Sequence, residues 1–173
     1  EGKISETYFK RSFLGQFADP SSEDLVFKYK FGTFQKKWHE KYGWPLFLPL
    51  TEKDEHLFAS LRIPINNDQS EFDSQILALA KTLIDSLNEK QLSKMVNDAC
   101  DLRGIGLFET YLDENAYPFI KEDIELIRTL YGVRSSGVGH RKGTKYDKAI
   151  NRLGINESML VESFKKILDK RTQ

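Results

Sequence analysis

From Ser70 onward the apolar positions recur at three- and four-residue steps. Phe72, Ile76, Leu79, Ala80, Leu83, Ile84 and Leu87 make one stripe, which predicts an amphipathic helix. Asn88, followed by Gln91, has the form of a cap opening a second helix through Cys100. The glycine-containing stretch Arg103-Gly104-Ile105-Gly106 reads as a loop. Pro118 marks the start of a third helix with Ile120, Ile124, Ile127 and Tyr131 on its buried face. A short helix follows, carrying Tyr146, Ala149, Ile150 and Leu153 and closed by Gly154. Asn156 is placed to cap the last helix, whose inner face is Leu160, Phe164, Ile167 and Leu168. Four or five helices joined by short loops predict a bundle over residues 67–173.

Residues 1–66 have a different texture, with twelve aromatics between Tyr8 and Phe47. Leu25, Phe27, Tyr29 and Phe31 alternate with Val26, Lys28 and Lys30, a period of two that predicts a strand. A short helix is expected over 33–42, ending at Gly43. Thr51, with Asp54 three residues on, suits the cap of a helix through Leu61; Pro64 and the Asn66-Asn67-Asp68 turn then interrupt the chain. The Trp44–Pro49 stretch reads as a buried connector. The expected fold is therefore mainly α: a C-terminal bundle preceded by a short, aromatic-rich α+β region, either an extension or the end of a preceding domain.

Composition narrows the class without naming a partner. Lys+Arg and Asp+Glu are both 26 in 173 residues, so the whole chain carries no net charge. Any nucleic-acid signal must come from local clustering. Cys100 is the only cysteine, which rules out an intrachain disulfide and a cysteine-built metal site. His39 and His56 lack ligand spacing, and no metal or other cofactor is expected. The apolar run at 44–50 is far too short to span a bilayer, so no membrane partner is expected and a cytoplasmic setting is. The chain opens at Glu1, which suggests a piece of a longer parent carrying other domains.

Local clustering appears at one place. From Arg128 to Arg152 there are seven cations (Arg128, Arg134, Arg141, Lys142, Lys145, Lys148, Arg152) against one acid, Asp147. Such an excess attracts phosphates in a salt-dependent way. Continuing the face of the third helix brings the next position to Arg134, which directs a guanidinium along an apolar stripe. A charge there needs a counter-charge: an internal carboxylate such as Asp73 or Glu122, a partner subunit, or a phosphate. His140 lies six residues on, about 120° away on an unbroken helix. Gly137 and Gly139 between them permit a bend; alternatively the pair is completed across a two-fold dimer.

The stretch Tyr131-Gly132-Val133-Arg134-Ser135-Ser136-Gly137-Val138-Gly139-His140-Arg141-Lys142-Gly143 resembles the HEPN signature, in which an arginine at a helix end is followed four to six residues later by a histidine. The resemblance implies a helical bundle that cleaves or binds RNA as a homodimer, and on family analogy a bacterial defence or toxin setting. In active members cleavage is metal-independent: the ribose 2′-hydroxyl attacks the adjacent phosphorus and leaves a cyclic phosphate. Carried over, His140 would manage protons, Arg134 would hold the phosphate, and Ser135 would occupy the position of a polar neighbour. Arg128, Arg141, Lys142, Lys145, Lys148 and Arg152 would follow the RNA backbone. The alternative is a non-catalytic RNA-binding or dimerisation module of a larger protein.

Overall fold

The computed structural model describes residues 22–137 and 142–169; helices joined by irregular connections make up the fold, with no strand among the described residues. Among the described residues eight α-helices occur in chain order: α1 (Glu23–Tyr42), α2 (Glu55–Ser60), α3 (Gln69–Ala80), α4 (Glu89–Met95), α5 (Gly104–Glu114), α6 (Ile120–Gly137), α7 (Thr144–Leu153) and α8 (Leu160–Asp169). α3 runs on into a π-helical turn, Lys81–Asp85.

The strand expected over 25–31 is instead the first half of α1. Glu23 and Asp24 in its first turn complement the helix dipole, and Gly43 ends it at φ +76° with its N–H on the His39 carbonyl. The same segment holds a helical stripe, Phe27, Phe31, Phe34 and Trp38, which lines one cavity wall: Phe27 is buried, Phe31 and Trp38 are half-buried and Phe34 sits at the exposed rim, while Leu25 and Tyr29 face away from it. Two rings within that stripe, Phe27 and Phe31, stack at 5.9 Å. The side chain of Gln35 then clips α1 to the connector, giving a hydrogen bond to the Phe47 carbonyl at 3.0 Å and accepting one from the Phe47 N–H at 3.4 Å.

The connector is buried at Trp44, Leu46 and Phe47, as its apolar run predicts. It is also zipped to the end of α3. An isolated antiparallel bridge joins Phe47 to Leu87, Leu48 N–H donates to the Ser86 carbonyl and Asn88 N–H to that of Leu46. Asn88 then serves two elements: its Nδ2 donates to the Pro45 carbonyl, and its Oδ1 accepts from Gln91 N–H as the cap of α4. One apolar core consequently contains Phe27, Leu46 and Leu61 together with Phe72, Ile127 and Phe164.

The α3 stripe is buried at all seven expected positions, and α3 packs on α6 and α8. Its π turn follows from side-chain chemistry as well as packing: Thr82 Oγ1 donates to the Ala78 carbonyl and Ser86 Oγ to that of Thr82, hydroxyl partners for carbonyls in a widened turn. The capping reading at Thr51 shifts by one turn. Its carbonyl accepts from Asp54 and Glu55, and α2 begins at Glu55. α4 stops at Met95, short of Cys100.

The 103–106 stretch is not a loop but the entrance to α5, with Gly104 at φ +49°. Leu107, Phe108, Tyr111 and Leu112 supply the buried face that outweighs two glycines. α6 buries Ile124 and Ile127 as expected, but then Leu130, Val133 and Gly137, so from Leu130 onward the inward face lies one position before the expected one and Tyr131 is exposed. Gly137 belongs to this helix instead of bending the chain. α6 and α7 run antiparallel and pack closely because glycines on α6 meet α7: a Cβ at Gly132 would lie 3.4 Å from Ala149, and one at Gly137 only 2.5 Å from the Tyr146 ring. α7 and α8 bury the residues expected of them. Asn156 accepts from Ser158 N–H in the turn ahead of α8, which begins at Leu160.

Candidate phosphate-binding site on α6 and α7

Arg134 stands in the last turn of α6, on the flank of its buried face, with its side chain 24% exposed. The guanidinium donates to Asp85, the final residue of the π turn, and neither Asp73 nor Glu122 is its partner. The other Asp85 oxygen lies 3.5 Å from Lys81 Nζ, which in turn donates to Asp54 at 2.9 Å. The result is a chain of alternating charge, Asp54–Lys81–Asp85–Arg134, that ties the segment before α2 to α3 and α6. Within it the hydrogen bond from Lys81 holds the Asp54 carboxyl below its usual range, and the same bond from Asp54 raises the Lys81 ammonium.

Lys142 is committed to the interior as well. Its ammonium lies 2.9 Å from Asp73 and 4.7 Å over the Tyr146 ring. Gln69 Nε2 links the same group, donating to Asp73 at 2.8 Å and to the Tyr146 hydroxyl at 2.9 Å. Burial, reinforced by the nearby Asp73 charge, pushes the Tyr146 phenol up to about 12. Arg128 pairs with Glu109 on α5 at the surface. Ser135 Oγ turns back to the Gly132 carbonyl at 3.3 Å. His140 and Arg141 lie outside the described residues.

Three of the expected phosphate contacts are different in kind. Lys145, Lys148 and Arg152 are exposed on α7 and form no ion pair with any described residue. At steps of three and four they share one face, opposite the buried Tyr146, Ala149, Ile150 and Leu153. Seven residues of helix put about 10 Å between the first and last along the helix axis. The arrangement can do one thing well: lay a row of mobile cations along a polyanion. Among the described residues no cluster of histidine, cysteine or carboxylate groups is arranged to hold a metal ion. No helix there is long and apolar enough to cross a membrane.

One feature of the fold was not visible in the sequence. A cavity of about 710 Å³ opens between α1, the connector, α5 and the start of α6, walled by rings including Phe31, Phe34, Trp38, Phe47, Phe108 and Phe119. The aromatic richness of 25–47 was apparent, but not the helical stripe that gathers these rings into one wall. No protein family, characterised protein or solved structure matches this chain.

Proposed function

We propose that this chain is an RNA-binding helical module that lays α7 against the phosphate backbone. The observation that carries the reading is the row Lys145, Lys148 and Arg152: three exposed cations on one face, without ion-pair partners among the described residues, in a chain of zero net charge. Contacts of this kind position a strand without reading its bases, so affinity should fall steeply with salt. The test is a salt titration of single-stranded RNA binding by the wild type and by a Lys145→Gln/Lys148→Gln/Arg152→Gln variant. Removing three phosphate contacts should flatten the slope of log K against log salt by about 2. An unchanged slope would remove α7 from the interface.

A second reading is metal-independent RNA cleavage by a homodimer, with Arg134 holding phosphate and His140 moving protons. What supports it is the placement of Arg134 in the last turn of α6, at the head of the Arg134–Gly143 stretch, facing a π turn of a sort often found at functional sites. It predicts cyclic-phosphate ends in the presence of a chelator, abolished in a folded His140→Ala variant. RNA recovered intact from the wild-type protein would leave binding alone.

A further inference from the structure

We propose that Arg134 is a latent phosphate contact, held shut by Asp85 and opened when a backbone phosphate displaces that carboxylate. The proposal rests on the RNA-binding reading and adds to it a gate that the cations of α7 do not have.

The geometry points this way for three reasons. First, the pair is neither sealed nor free: the Arg134 side chain is 24% exposed and that of Asp85 29%, so an incoming anion can reach the guanidinium without the core opening. Second, Asp85 is not stranded when Arg134 leaves, because Lys81 stands 3.5 Å from its other oxygen, one helical turn back. An uncompensated carboxylate would make the exchange costly; a second cation already in place makes it an exchange of partners. Third, Lys81 is itself anchored by Asp54 at 2.9 Å, so it holds its position whether or not Arg134 is present. Carboxylate and phosphate offer a guanidinium the same pair of acceptor oxygens, and so compete for the same donors.

The closed cluster is formally neutral: Asp54 and Asp85 against Lys81 and Arg134. Asp85→Asn keeps the size of the side chain and one acceptor but leaves the cluster with one uncompensated positive charge. RNA should then bind about fivefold more tightly at low salt, and the slope of log K against log salt should steepen by about 0.7, one additional phosphate. The gain must pass through Arg134, so Asp85→Asn/Arg134→Gln should return both quantities to about the wild-type values. Lys81→Met provides the opposite perturbation. With its second cation gone, Asp85 belongs to Arg134 alone, and binding should weaken; this variant carries the test should Asp85→Asn fail to fold.

If the wild type binds with an α7-dependent slope and Asp85→Asn leaves slope and affinity unchanged, the gate is overturned and the binding reading stands. Weaker binding in Asp85→Asn also overturns it, because Asp85 would then be orienting Arg134 rather than competing for it. Absence of RNA binding by every one of these proteins overturns both.

Discussion

Gly137→Ala adds one methyl group at the tightest contact between α6 and α7. The new Cβ would lie 2.5 Å and 2.7 Å from two carbons of the Tyr146 ring, where ordinary contact needs about 3.4 Å or more, so something must move by close to 1 Å. The ring cannot swing away freely. Tyr146 is 1% exposed, its hydroxyl is bound by Gln69, and the Lys142 ammonium sits over its face. Overpacking of this kind costs about 1–3 kcal/mol. Alanine returns at most about 1 kcal/mol of helix propensity, and less at the final residue of α6. The expected net loss is about 1–2 kcal/mol, or a fall of about 3–6 °C in Tm. Gly132→Ala is the control: its Cβ would meet Ala149 at 3.4 Å, which needs little adjustment, and it lies in the helix interior, so its effect should run from neutral to a gain of about 1 kcal/mol. Urea and thermal unfolding measure both. In a Tyr146→Ala background the cost at Gly137 should disappear, since the clash has lost its partner. An equal or higher midpoint for Gly137→Ala in the native background would refute the close-approach argument.

Two further perturbations follow from backbone and burial. Ala116 ends α5 at φ +51°, with Tyr117 N–H on the Leu112 carbonyl, and Gly154 ends α7 at φ +68° with the matching Ile155–Ile150 bond. Left-handed backbone costs a non-glycine residue about 1–2 kcal/mol, so Ala116→Gly should raise the urea midpoint despite the entropy lost by glycine, by up to about 1 kcal/mol; a lowered midpoint would count against it. Tyr111 and Tyr146 both have phenols raised from 10.0 to about 12, chiefly by burial, with Tyr42 adding to the first and Asp73 to the second. The sign is that of groups kept neutral by folding. Their contribution is complete below pH 10 and is lost as pH climbs from 10 toward 12, so stability should decline in that window as tyrosinate absorbance rises; Tyr146→Phe should make the decline shallower.

How much of this was legible depends on whether local pattern and tertiary demand agree. In α3 they agree: one stripe at helical spacing is also the set that the core needs, and Phe72 through Leu87 are buried as the spacing requires. In α1 two patterns overlap. Alternation at 25, 27, 29 and 31 competes with the helical set 27, 31, 34 and 38, and only the second has a surface to pack on. α5 was hidden by Gly104 and Gly106, whose propensity argues for a loop. The first occupies a helix entrance where positive φ is required, and four apolar residues beyond it supply the burial. For Arg134 the need for a counter-charge was legible from its place on α6. Its identity was not, because Asp85 is 49 residues away and reaches Arg134 from a π turn.

The basic run from 128 to 152 is one feature in the sequence and two in the structure. Arg128, Arg134 and Lys142 are bound to Glu109, Asp85 and Asp73, each a residue of α5, the π turn or α3. These cations stitch α6 and the residue pair ahead of α7 onto the rest of the bundle. Lys145, Lys148 and Arg152 stitch nothing among the described residues. An undivided charge run would predict that every substitution weakens binding by about the same amount. The division predicts otherwise: the exposed cations of α7 should affect RNA affinity while leaving unfolding midpoints nearly unchanged, whereas Lys142, wedged between a carboxylate and a buried ring, should affect stability first. Arg134 alone stands on both sides of that line, because its carboxylate partner already has a second cation within reach.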